Sequence, residues 1–175
     1  MINQETVWKL PRSEKFLTKE KRKKLVDAIP TKYYAWRNSL LIYPHLIKLV
    51  GKSTWTYGKL VYTIIDECNI HVGFTNSSHS LGYIGQWLFD KGEEWDELMP
   101  PLMSKIVGKQ TGIPGKGYFR HPLGKIWMER ESDIEGHWQA VDNYQGWDKV
   151  NIAWNQDQKK IIEKIRKIID ESVMA

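Results

Sequence analysis

Five histidines, a single cysteine and several carboxylate clusters are the residues of this 175-residue chain that could do chemistry. Cys68 and His71 have a ligand-like spacing with His79 nearby, but a structural zinc site takes four ligands and the chain has no second cysteine. Asp133, Glu135 and His137 alternate as they would on one face of a strand, an arrangement that could hold a divalent cation for phosphodiester cleavage. No following lysine completes a familiar nuclease signature. Ser80 beside His79 is not a nucleophile with its base, because neighbouring side chains on a helix point about 100° apart. Gly51-Lys52-Ser53-Thr54 has the form of the end of a phosphate-binding loop, yet that loop needs a glycine five residues before its Gly-Lys pair, where Leu46 stands here. No catalytic residue, resident metal or cofactor is therefore expected, and a metal-dependent nuclease centred on Asp133, Glu135 and His137 is the alternative.

Charge points elsewhere. The formal net charge is +5, distributed as +9 over residues 1–60, −6 over 61–100, +5 over 101–130 and −3 over 131–175. Segregated positive blocks suit a polyanionic partner. The densest is Lys21, Arg22, Lys23 and Lys24; the second includes Lys109, Lys116 and Arg120. The lone Cys68 excludes an intramolecular disulfide, and the absence of a long apolar run or a leader-like start leads us to expect a cytoplasmic protein with no membrane partner.

These residues must be positioned by a chain that reads as one mainly helical α+β domain. Residues 1–17 form an arm, with Trp8 as its anchor. A charged helix from Thr18 to Ile29 comes next, then an apolar stripe from Thr31 that Pro44 should kink or divide, so that 18–55 supply supporting helices. Between Thr56 and Cys68, Leu60, Val61, Ile64, Ile65 and Cys68 recur at helical spacing, with Thr56 capping the first turn. Val72 to His79 reads as a turn, and Leu81, Ile84 and Leu88 mark a second helix stopping near Gly92. Leu102 to Val107 reads as a strand, the glycine-rich stretch Gln110 to Gly117 as a hairpin turn, and Tyr118-Phe119 as the returning strand. Residues 121–154 look irregular with one or two strands. The chain closes on an amphipathic helix in 155–175, whose isoleucine stripe packs on its own domain or, alternatively, makes a homodimer.

Two helices, a turn and a basic glycine-rich hairpin have the order of a winged helix-turn-helix. Trp55-Thr56-Tyr57-Gly58-Lys59-Leu60, Pro100-Pro101-Leu102 and Thr111-Gly112-Ile113-Pro114-Gly115-Lys116-Gly117 resemble winged-helix domains of prokaryotic DNA-binding proteins, some of them from restriction and phage-defence systems. The resemblance covers little more than a third of the chain. It implies a recognition helix around Ser80 to Phe89 and a wing around Lys109 to Arg120. Amide, hydroxyl and imidazole groups of Asn76, Ser77, Ser78, His79, Tyr83 and Gln86 would then reach base edges, and phosphates would fall to Lys21, Arg22, Lys23, Lys24, Lys109, Lys116 and Arg120. The expectation is a protein that binds double-stranded DNA in a bacterial or phage system. A protein-binding inhibitor is the reading that the acidic run Glu93 to Glu97 favours instead.

Overall fold

The computed structural model describes residues 2–11, 17–29, 31–69 and 73–170, without the side chains of residues 74–76. Helices dominate: α1 (Gln4–Trp8), α2 (Lys19–Ala28), α3 (Tyr33–Lys48), α4 (Tyr57–Cys68), α5 (Phe74–Trp95), α6 (Lys116–Arg120), α7 (Pro122–Arg130), α8 (Ile134–Asn143) and α9 (Trp147–Asp170). The sheet is two strands of two residues, β1 (Trp55–Thr56) and β2 (Ile106–Val107), paired in parallel with Trp55 opposite Ile106.

Three long helices form the centre, and aromatic side chains set their spacing. Trp154 of α9 stacks on Tyr43 of α3 at 4.2 Å between ring centres and meets Trp87 of α5 edge-on at 5.2 Å. One turn further along α9, the buried Gln158 carbonyl oxygen accepts from Trp36 Nε1 of α3 (2.9 Å) and from Tyr83 Oη of α5 (3.0 Å). Lys149 lies over the Trp95 ring, and Trp87 Nε1 donates to Asp157. These pairs run in opposite order on the partner helices, so α3 and α5 are parallel to one another and antiparallel to α9. Their N-termini therefore share the end of the bundle where α9 finishes, and α2 joins them there because Lys21 Nζ donates to the Ile169 carbonyl (3.1 Å).

Several expectations hold. The helix expected from Thr18 forms, with the Thr18 hydroxyl as its cap, Thr56 caps α4 as its position suggested, and Cys68 is buried. The C-terminal stripe turns inward, with Ile162 and Ile165 buried in the chain's own core. The C-terminal helix is longer than its periodicity suggested, starting at Trp147 instead of Asn155. Residues 1–17 hold the short helix α1, pinned by Val7 and Leu10 while Trp8 is exposed.

Other expectations are corrected. Pro44 does not divide α3, which runs through it. The second helix neither waits for Ser80 nor stops at Gly92: it starts at Phe74 and ends at Asp96, whose φ of 52° lets Glu97 N–H close back on the Gly92 carbonyl. Asn76, Ser77, Ser78 and His79 therefore lie in the first turns of α5 and not in a turn before it. Leu102–Lys105 is one 3-10 turn, and β2 pairs with β1 instead of with a strand at Tyr118. The glycine-rich loop closes on itself, Gly108 N–H donating to Ile113 and Gly112 N–H to Gly108, and then enters α6. There is thus no wing. The irregular region 121–154 is two helices and the start of a third, with His121 capping α7 ahead of Pro122 and Asp133 capping α8.

Replacing Gln158 by methionine keeps the volume and strands two buried donors, Trp36 N–H and Tyr83 O–H. Each stranded donor costs roughly 1–3 kcal/mol, so urea denaturation should show a loss of about 2–4 kcal/mol. A loss that disappears in the error of the extrapolation would contradict the role given to this residue.

Candidate nucleic-acid interface

The early turns of α5 open onto a cleft of about 540 Å³ lined by Tyr57, Ser78, His79, Leu81, Gly82, Met103, Gly115, Lys116, Gly117, Tyr118 and His121. The core decides which α5 residues reach it. Ser80 Oγ donates to the Ala35 carbonyl on α3 (2.8 Å) and Tyr83 bonds Gln158 on α9. With those two facing inward, Ser78 and His79, one helical turn before Gly82, fall with it on another stripe of the helix.

The opposite wall is built by hydrogen bonds from aromatic residues. Gly115 N–H donates to the Tyr57 hydroxyl (3.0 Å), which fixes the entry to α6 and hence Lys116 at its start. A side chain at 115 would press on that hydroxyl, its Cβ only 3.0 Å away. Tyr118 is held from behind by His137: the ring Nε2 lies 2.6 Å from the Glu131 carbonyl, which can only accept, so Nδ1 is left to accept the Tyr118 hydroxyl proton at 2.6 Å. Burial pushes the Tyr118 phenol well above its ordinary range.

His121 forms part of the floor. Its Nδ1 accepts from Leu123 N–H (3.1 Å), leaving the other nitrogen to donate to the Gly82 carbonyl. Burial pulls its pKa down, only partly opposed by that bond and by Asp90, so the ring is neutral near pH 7. Gly85 sits against it, where a Cβ would come within 2.6 Å of Met103 and 3.1 Å of the imidazole.

The residues singled out from sequence separate into groups. Ser78, His79 and Lys116 meet at the cleft. Tyr83 turns toward α9 instead, packing edge-on to Trp154 at the edge of the core, with its phenol raised to about 12 by burial. Gln86 is exposed but its amide donates to Asp90 (2.8 Å), four residues on. Lys109 and Arg120 are exposed and do not line the cleft, and Arg22, Lys23 and Lys24 are exposed on α2. Lys21 reaches the end of α9. The side chain of Asn76, and His71, lie outside the described residues. Tyr57, Gly82, Tyr118 and His121 were missed as site residues; the glycine at 82, inside a helical run that disfavours glycine, was the one local signal.

Asp133, Glu135 and His137 are on a helix, not a strand: Asp133 accepts from Glu135 N–H as a cap and His137 is buried between Tyr118 and Glu131. Among the described residues no group of three or more His, Cys, Asp or Glu is placed to hold a metal ion. The Gly51-Lys52 corner is a clamp, in which the buried Lys105 ammonium bonds the Lys52 carbonyl (2.6 Å) and pairs with Asp142 (2.8 Å), while Asp142 also accepts Gly51 N–H. In the acidic run, Glu94 pairs with Lys91 and Glu97 accepts the Tyr144 hydroxyl. No helix among the described residues is long and apolar enough to cross a membrane. Comparison with known proteins adds nothing to assign: no family model, curated protein or solved structure matches the chain.

His121 and His45, the latter beside Glu67 and Lys48, both have pKa values lowered from 6.5, first by burial. Unfolded histidines near 6.5 bind more protons than these do, so stability should be full above about pH 7 and fall as the pH drops below about 6.5. Denaturation midpoints that stay level from pH 7 down to the carboxylate range would contradict this.

Proposed function

We propose that the protein binds double-stranded DNA and that the cleft between α5 and α6 is where it does so. The carrying observation is that Lys116 on one wall and His79 and Ser78 on the other line a single cleft, bringing together the two segments to which the winged-helix resemblance assigned phosphate and base contact. A lysine ammonium, an imidazole and a hydroxyl together suit a phosphodiester with an adjacent sugar or base edge. The exposed cations Arg22, Lys23 and Lys24 lie on α2 at the end of the bundle where α9 finishes, and Arg120 closes the helix that Lys116 begins.

The mode of docking differs from a winged helix-turn-helix. α5 packs against α3, α4, α6 and α7, and the exposed stripe it keeps beyond its first turns carries Gln86, Asp90, Glu93 and Glu94, whose carboxylates disfavour laying that stripe in a major groove. The α4–α5 pair would meet the duplex end-on, through the first turns of α5, with α6 taking the place of the wing. Helix-turn-helix proteins likewise read bases from the N-terminal residues of the recognition helix.

Lys116→Ala should weaken binding to every duplex by a similar factor and lower the slope of log affinity against log salt by about one. Fluorescence anisotropy at two salt concentrations measures both. Undetectable duplex binding by the wild-type protein at low salt would overturn the proposal, and an unchanged slope in Lys116→Ala would remove the cleft from it.

A further inference from the structure

Phosphate contact accounts for the rim of the cleft and not for its interior. Behind Lys116 and His79 the walls are Tyr57, Tyr118, Leu81, Gly82 and Met103, within a volume of about 540 Å³. That is the size and character of a site for a small organic ligand, whereas a phosphodiester is recognised by charge and hydrogen bonds at a surface. The two tyrosine hydroxyls are already engaged, by Gly115 N–H and by His137, so what these residues offer a ligand is ring surface.

The glycines sharpen the point. At several glycines the chain itself stands in the way of a side chain: a Cβ at Gly92 would strike the Glu97 carbonyl, one at Gly124 the Tyr118 carbonyl, and one at Gly85 would crowd Met103 and the His121 ring. Gly82 is different. It lies well inside α5, where alanine would favour the helix, its φ is not positive, and a Cβ there meets nothing within 4 Å. Gly117, across the cleft in α6, is equally unobstructed. Both line the cleft, and nothing in the chain's own packing or backbone conformation requires either to lack a side chain. The space they leave suits an occupant from outside the chain.

We infer that this occupant is a single nucleobase extruded from the bound duplex, lying against the rings of Tyr57 and Tyr118 with its flanking phosphate at Lys116. The inference rests on the DNA-binding reading above and names its substrate class. Base recognition by stacking on aromatic rings, with polar groups at the edge, is the chemistry of extruded and single-stranded nucleotides. Here the exposed His79 supplies the edge group. Extrusion is cheapest where pairing is already weak, so a duplex with a mismatched or damaged base is the favoured ligand over a fully paired one.

A duplex carrying a central mismatched base, 2-aminopurine as its neighbour on the same strand and a dye at one end reads both events in one sample, since the analogue brightens when the base beside it leaves the stack and the dye reports binding by anisotropy. At protein concentrations that saturate the anisotropy, the wild-type protein should raise 2-aminopurine emission several-fold, and Gly82→Leu, which fills the cleft, should not. A 5-iodouracil at the mismatched position should crosslink to Tyr57, Tyr118 or His79. Saturated anisotropy with unchanged emission in the wild type overturns extrusion and leaves DNA binding standing; no anisotropy change overturns both. Emission that rises equally in Gly82→Leu, or crosslinks confined to other residues, also overturns the assignment to this cleft.

Discussion

One buried oxygen organises this fold. The Gln158 carbonyl accepts from Trp36 on α3 and Tyr83 on α5, one turn from Trp154, whose ring lies against Tyr43 and Trp87 of the same two helices. Aromatic packing alone fixes spacing but is tolerant of rotation, because apolar attraction is non-directional. The two hydrogen bonds add the direction, since rolling α5 about its axis would bury the Tyr83 hydroxyl without a partner. The orientation of α5 is in turn what turns Ser78, His79 and Gly82 away from the core. The cleft is a consequence of how the opposite side of the helix is held.

The facing wall depends on a second set of polar contacts. Tyr57 at the start of α4 braces Gly115, and His137 on α8 braces Tyr118. Lys116 is therefore carried on a helix whose two ends are tied to different parts of the chain, unlike a cation on a free hairpin. Such support limits the conformational entropy lost when a ligand is bound. Lys105, tying the 3-10 turn to the Gly51-Lys52 corner and to Asp142, keeps β2 and the loop after it in register with α4.

Much of the α-helical content was legible because local signals and tertiary packing agree there. α4 has a hydroxyl cap at Thr56 and a clean apolar stripe, and α2 has its cap at Thr18. The segment around Lys116 shows the opposite. Three glycines and a proline in eight residues do make a turn, with Gly112 at a φ of 67°. Turn chemistry does not, however, specify the conformation of the residues beyond the turn, and Tyr118 is drawn into a helix by its bond to a histidine nineteen residues away. Residues 121–154 were opaque for a related reason: their tryptophans donate to distant carbonyls, Trp127 to Met99 and Trp138 to Ser104, so their spacing reflects those partners as well as the helical period. The same non-local logic hid Tyr57 and His121, whose part in the cleft depends on which segments lie opposite them. His79, Ser78 and Lys116 could be singled out by type and charge, while their meeting required the bundle.

The most direct measurement of the central claim is a titration of the ¹⁵N-labelled protein with a short DNA duplex, tracked by amide chemical shifts. The largest changes should fall on Tyr57, on Ser78 through Gly82 and on Gly115 through His121, with smaller ones along α2. Changes confined to the acidic end of α5, or none at DNA concentrations well above that of the protein, would contradict it.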